Sequence, residues 1–129
     1  MADTEQRVIP ALRMTDYERS KAFYVERVGF TVEWEHRFGP NMPVFMSLKR
    51  DGMEIYLTEH RGDCQVGGLV HFVIDDVTAW HAEFVAKGAR VTDPPNNDLG
   101  FLNMTVTDPD GNQLRFMERV SKDAAHRES

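Results

Sequence analysis

Near its middle the chain alternates apolar and polar side chains, with Met53, Ile55 and Leu57 set against Glu54, Tyr56 and Thr58. The alternation returns near the end as Leu114 and Phe116 against Gln113, Arg115 and Met117. A period of two predicts strands with one greasy and one mixed face. Elsewhere the period is helical: Tyr17, Ser20, Phe23, Tyr24 and Val28 recur behind Asp16, a candidate N-cap, until Gly29 ends the run. The whole pattern then repeats. Asp16, Phe23-Tyr24 and Gly29 reappear as Asp76, Glu83-Phe84 and Gly88, and Asp51-Gly52 reappears as Asp110-Gly111.

Each copy reads as βαβββ. The first has a strand over 7–14, a helix from Asp16 to Gly29, and strands over 30–35, 43–49 and 53–59, the last two joined by the hairpin signal Arg50-Asp51-Gly52. The second has a strand over 69–74, a helix capped within Asp75-Asp76 and running to Lys87, and strands over 89–92, 102–107 and 113–118. Its turn is Asp108-Pro109-Asp110-Gly111-Asn112. The predicted fold is α+β, one domain of two βαβββ modules over 7–60 and 66–118, with a polar tail over 119–129. Units this small do not cover their own apolar faces, so the copies pack on each other or on a second chain.

The greasy faces belong under the helices. That leaves Glu54, Tyr56 and Thr58, with Leu69, His71, Val73, Thr105 and Thr107, on an opposite, concave side. Alternation from Phe30 and Val32 puts Trp34 with the core set, and Trp80 reads as a helix packing residue.

With 41% hydrophobic residues in 129, the chain has material for a core, and its net charge of −6 argues against a nucleic-acid partner. No apolar run is long enough to span a membrane and no signal pattern opens the chain, so a cytoplasmic location is expected. The single Cys64 excludes an internal disulfide and reads as a loop thiol.

The duplicated unit, with Phe23-Tyr24, Gly29-Phe30 and the terminal Asp108-Pro109-Asp110-Gly111-Asn112, resembles the glyoxalase, bleomycin-resistance and dioxygenase superfamily, the vicinal oxygen chelate proteins. The resemblance implies two modules curving their sheets around a cleft, which in the enzymes holds a divalent metal gripped by His, Gln or Glu. The four matching positions here are Ile9, Tyr56, Leu69 and Arg115. Ile and Leu have no donor atom, and Arg repels a dication, so no metal cofactor is expected. The resemblance then points to the metal-free bleomycin-resistance type: a homodimer that sequesters a small, drug-like, bleomycin-like ligand without chemistry. Candidate ligand residues are Trp34, Phe38, Glu54, Tyr56, Leu69, His71, Phe101 and Arg115, the aromatics as stacking plates and the carboxylates, with Glu35 and Asp98, as partners of a cation. Two alternatives stay open. One is a lyase or dioxygenase with a metal site rearranged onto His71 and Glu54. The other is a module for an anionic metabolite anchored by Arg115, which otherwise pairs internally with Glu54 or Tyr56.

Overall fold

The computed structural model describes residues 5–120. Its elements are β1 (Ala11–Arg13), α1 (Tyr17–Lys21), β2 (Thr31–Arg37), β3 (Val44–Arg50), β4 (Met53–Thr58), β5 (Leu69–Val73), α2 (Val77–Ala86), β6 (Val91–Asp98), β7 (Phe101–Thr107) and β8 (Gln113–Arg119). They form two four-stranded sheets, ordered β1-β4-β3-β2 and β5-β8-β7-β6. In each sheet the first strand of its half lies parallel to the last, and the remaining pairs are antiparallel. This is the expected α+β fold of two βαβββ units. Among the described residues no helix is long and apolar enough to cross a membrane.

Local chemistry sets the element ends. Asp16 and Asp76 cap the helices by accepting from the backbone N–H of Arg19 (3.0 Å) and Ala79 (2.9 Å). A second cap is also duplicated: Glu59 accepts from Tyr17 N at 3.0 Å, and Glu118 accepts from Val77 N at 2.9 Å, so a carboxylate after or within the last strand sits at each helix start. After α1 the chain continues in wider π-type turns over Ala22–Arg27, and Val28 N bonds Phe23 O at 3.0 Å. Gly29 then takes φ 84°, a conformation that favours glycine. The Asp51-Gly52 pair, at φ 50° and 81°, closes the β3–β4 hairpin.

Several strand boundaries depart from expectation. The first strand is only Ala11–Arg13, because Pro10 has no N–H to give; its carbonyl accepts from Tyr56 N (2.9 Å) and the ladder stops there. The segment between the expected strands 89–92 and 102–107 is mostly strand: β6 runs through Pro94 and Pro95 to Asp98. Prolines are tolerated there because β6 is an edge strand and its register slips between Asp93 and Asn96. Arg119, placed in the tail by sequence, ends β8, and the tail beyond residue 120, His126 included, lies outside the described residues.

One core spans both halves. Phe30 packs against Phe72 (6.0 Å between centroids), Phe72 stacks on Phe116 (4.8 Å), and Phe84 and Trp80 close over Phe116. Two polar clusters cross the seam. In the first, the buried Asp108 carboxylate accepts from Tyr24 Oη (2.7 Å), Asp110 N (2.8 Å), Asn112 N (2.9 Å) and Asn112 Nδ2 (2.8 Å). Asn112 also donates to Arg13 O and accepts from Gly68 N, each at 2.8 Å. In the second, Arg50 donates two 2.9 Å bonds to Glu83 and one of 2.6 Å to Val28 O, while its guanidinium lies 3.6 Å from the Trp80 ring centroid. A Cβ on Gly29 would fall 2.7 Å from Arg50 Nη1, so glycine there both ends the helix and admits the arginine.

Tyr24→Phe keeps the ring packing and leaves Asp108 one donor short. It is expected to cost about 1.5–3 kcal/mol, read from urea unfolding. Arg50→Ala is expected to cost about 2–3 kcal/mol by the same measurement. Burial pushes the Glu83 carboxyl up, but the Arg50 hydrogen bonds and charge outweigh it and leave it below its ordinary 4.5. That stabilisation is present above 4.5 and is lost as pH falls through the lower folded value, so the gap between wild type and Arg50→Ala should narrow below pH 4.5.

Candidate functional site

Facing away from the core, β2, β3 and β4 present Trp34, Phe45, Ser47, Glu54 and Tyr56 on one open face. Trp34 lies 5.5 Å from both Phe45 and Tyr56, and the latter two are 4.9 Å apart. This corrects the core assignment of Trp34, which is 41% exposed. A bulge between Val32 and Trp34 inserts one residue, so Val32 pairs with Leu48 on the core side while Trp34 pairs with Ser47 on the open side. Phe45 is a site residue that the sequence reading passed over. A usable signal was present: the two-residue turn sets Arg50 opposite Met53, and counting back places Ser47 and Phe45 on the face of Tyr56 and Thr58. At the rim, Phe38 lies edge-on to His36 (4.2 Å) and His60 (5.2 Å) and, with Phe45 and Asp63, lines a cavity of about 230 Å³. Glu35 is turned to the helix side, where it accepts from Tyr17 Oη at 2.6 Å and pairs with Lys21 at 3.1 Å.

Glu54 is the charged centre of this face. Ser47 Oγ donates to its Oε2 at 2.5 Å, and Arg7 Nη2 stands 3.0 Å from its Oε1. The Ser47 hydroxyl holds the Glu54 carboxyl below the usual carboxylate range, outweighing burial, and the charges of Arg7 and Lys49 add to it. Glu54 therefore does not pair with Arg115, as the sequence had suggested. With Arg7, Ile9, Lys49, His71 and Val73 it lines a cavity of about 440 Å³ where the two halves meet.

The second sheet presents a different face. Arg115 lies opposite His71 on β5 and Thr105 on β7, with weak contacts to Thr105 Oγ1 (3.4 Å) and Gln113 Oε1 (3.5 Å). Among the described residues it makes no ion pair. With His71, Asp98, Phe101 and Asn103 it lines a cavity of about 410 Å³. Phe101 is half-buried under the Arg119 guanidinium, 5.4 Å from the ring centroid, and Leu69 is exposed on β5 opposite Gln113. His71 lines the 440 Å³ cavity beside Glu54 and the 410 Å³ cavity beside Arg115, and holds Nδ1 3.2 Å from Met117 Sδ. The fold thus joins Glu54 to His71 and Arg115 to Phe101, while Trp34 and Tyr56 stay on the first sheet.

This donor set does not fit a divalent metal. Ile9 and Leu69 offer no ligand atom, Arg115 brings a fixed positive charge, and no three His, Cys, Asp or Glu side chains converge among the described residues. His71 and Glu54 share a cavity, but two donors do not make a three-ligand site. Burial and Asp63 push the Cys64 thiol up, away from the reactive thiolate.

The chain belongs to the glyoxalase superfamily: the family described as glyoxalase superfamily protein matches residues 3–123. No curated protein matches it. Among solved structures it is similar to the antibiotic binding protein TnmS3 from Streptomyces sp. CB03234, with TM-score 0.72 and 24% identity over 92% of this chain and 98% of that one. It is also similar to the bleomycin resistance determinant encoded on the transposon Tn5, with TM-score 0.73 and 22% identity over 89% and 98%. A bleomycin-binding protein complexed with bleomycin superposes with TM-score 0.70 and 22% identity over 88% and 98%. At these identities the likeness establishes the fold.

Ser47→Ala removes the hydroxyl that charges Glu54 most strongly, so the Glu54 carboxyl should titrate at higher pH than in wild type. Carboxyl-carbon NMR across an acid titration measures it.

Proposed function

We propose that this protein is a metal-independent binding protein that sequesters a drug-like small molecule with a flat aromatic part, without chemical change to it. The observation that carries this reading is the cluster of Trp34, 41% exposed, with the half-buried Phe45 and Tyr56 on the open face beside the Glu54 carboxylate. Aromatic rings left partly in water on a fixed sheet favour a stacked ligand. The residues at the superfamily's metal positions remove the Lewis acid on which its enzymes rely. Neighbours of the same fold that bind antibiotics, bleomycin among them, support the ligand class.

A homodimer belongs to this reading. Leu69 and Val73 expose apolar side chains on the open face of β5, a surface that a second copy would cover. A second reading, an anionic ligand at Arg115, is favoured by that guanidinium's lack of an ion partner among the described residues in a 410 Å³ cavity.

Isothermal titration of chelator-treated protein with metal-free bleomycin should give saturable heat at one site per chain, lost in Trp34→Ala and retained in Arg115→Ala. Absence of heat from wild type would remove the drug reading. Loss of binding in Arg115→Ala alone would move the anchor to the second sheet.

A further inference from the structure

Buried or half-buried carboxylates in this molecule mostly have a structural task. Glu59 and Glu118 cap helices, Glu83 holds Arg50, and Asp108 takes four donors. Glu54 differs. Its side chain is only 8% exposed and one oxygen is satisfied by Ser47, but Oε1 is buried without an aligned hydrogen-bond donor. A carboxylate this far out of water needs a cation against it. The ion-pair partner is Arg7, 3.0 Å away but without hydrogen-bond alignment and 51% exposed; Lys49, opposite Glu54 on β3, adds charge but pairs with Glu33.

Arg7 is itself loosely held. It lies on residues 5–10, which form no strand, and among the described residues Pro10 O is the only backbone group of that segment bonded to the rest of the chain. A half-exposed ion pair on such a segment is cheap to exchange. Around the pair lies the 440 Å³ cavity, and Tyr56, two residues along β4 on the same face, begins the aromatic wall that continues to Trp34. A planar cation set against that wall in place of Arg7 gains stacking and a directed bond to Oε1 together.

We infer that Glu54 is the anchor for a protonated amine, amidinium or guanidinium group of the ligand, and that Arg7 occupies this position until such a ligand displaces it. The inference rests on the reading of the first sheet's open face as the ligand surface, and it adds the charge the ligand carries and an internal competitor for its place. The occupied and exchanged states share Ser47 as the second partner of the carboxylate, so exchange needs only the movement of residues 5–10.

The test uses the full chain and benzamidine, a planar aromatic cation, with neutral benzamide as its control, by isothermal titration. Arg7→Ala removes the competitor and should tighten benzamidine binding about fivefold, corresponding to about 1 kcal/mol of exposed ion pair. Glu54→Gln, which keeps an acceptor for Ser47, should abolish binding. In wild type, the Glu54 carboxyl resonance should shift on titration with benzamidine, a readout that does not depend on any variant folding. Unchanged or weaker binding by Arg7→Ala overturns the displacement, equal binding of benzamide overturns recognition of charge, and a Glu54 resonance that stays still overturns the anchor. Benzamidine shares no scaffold with bleomycin, so failure of the drug to bind and failure of this site are separately visible.

Discussion

A carboxylate buried at the seam between the two halves decides how this molecule is put together. Asp108 is removed from water, which is tolerable only because four donors surround it, and one of them is Tyr24 from the other half of the chain. Asn112 extends the same network to the backbone of β1 through Arg13 and to the entry of β5 through Gly68. A network of this kind loses most of its worth if any member shifts by an ångström. It therefore locks the position of one sheet relative to the other, with the apolar sheet faces and the apolar sides of the helices turned into the core. The single core from Phe30 through Phe72 to Phe116 follows from that placement.

Duplication has kept the inside and changed the outside. The helix caps at Asp16 and Asp76, the carboxylates Glu59 and Glu118 over the helix starts, and the strand orders match in both copies. On the open faces the copies part: where the first has Glu54 and Tyr56, the second has Gln113 and Arg115. Packing constrains the inner positions equally in each copy, whereas an open face answers only to what it meets. The result is an aromatic surface around Glu54 and a polar surface around Arg115 on a common frame, joined at His71, which lines the cavities of both.

Recognition on such a frame depends on side chains that the fold leaves free. Trp34, Phe45 and Tyr56 are held by strands and so lose little freedom on stacking against a ligand, while the charged groups nearest them are held weakly. Glu54 has a long, exposed arginine from a strandless segment as partner, and Arg115 has only distant hydroxyl and amide contacts. Rigid plates beside exchangeable charges are what the proposed binding role asks for.

The repeat, the periods of two and 3.6, the Asp caps and the Asp-Gly turns were legible in the sequence because each is a short-range property, decided within a few residues by backbone conformation. They determined the two βαβββ units; the misfit with a metal at Ile9, Tyr56, Leu69 and Arg115 was read through the family resemblance. Tertiary structure decided the rest. A bulge opposite Ser47 turned Trp34 from core to surface, an edge position let β6 run through two prolines, and Arg7, rather than Arg115, reached Glu54. These outcomes depend on contacts between segments far apart in the chain, and neither periodicity nor turn chemistry carries that information.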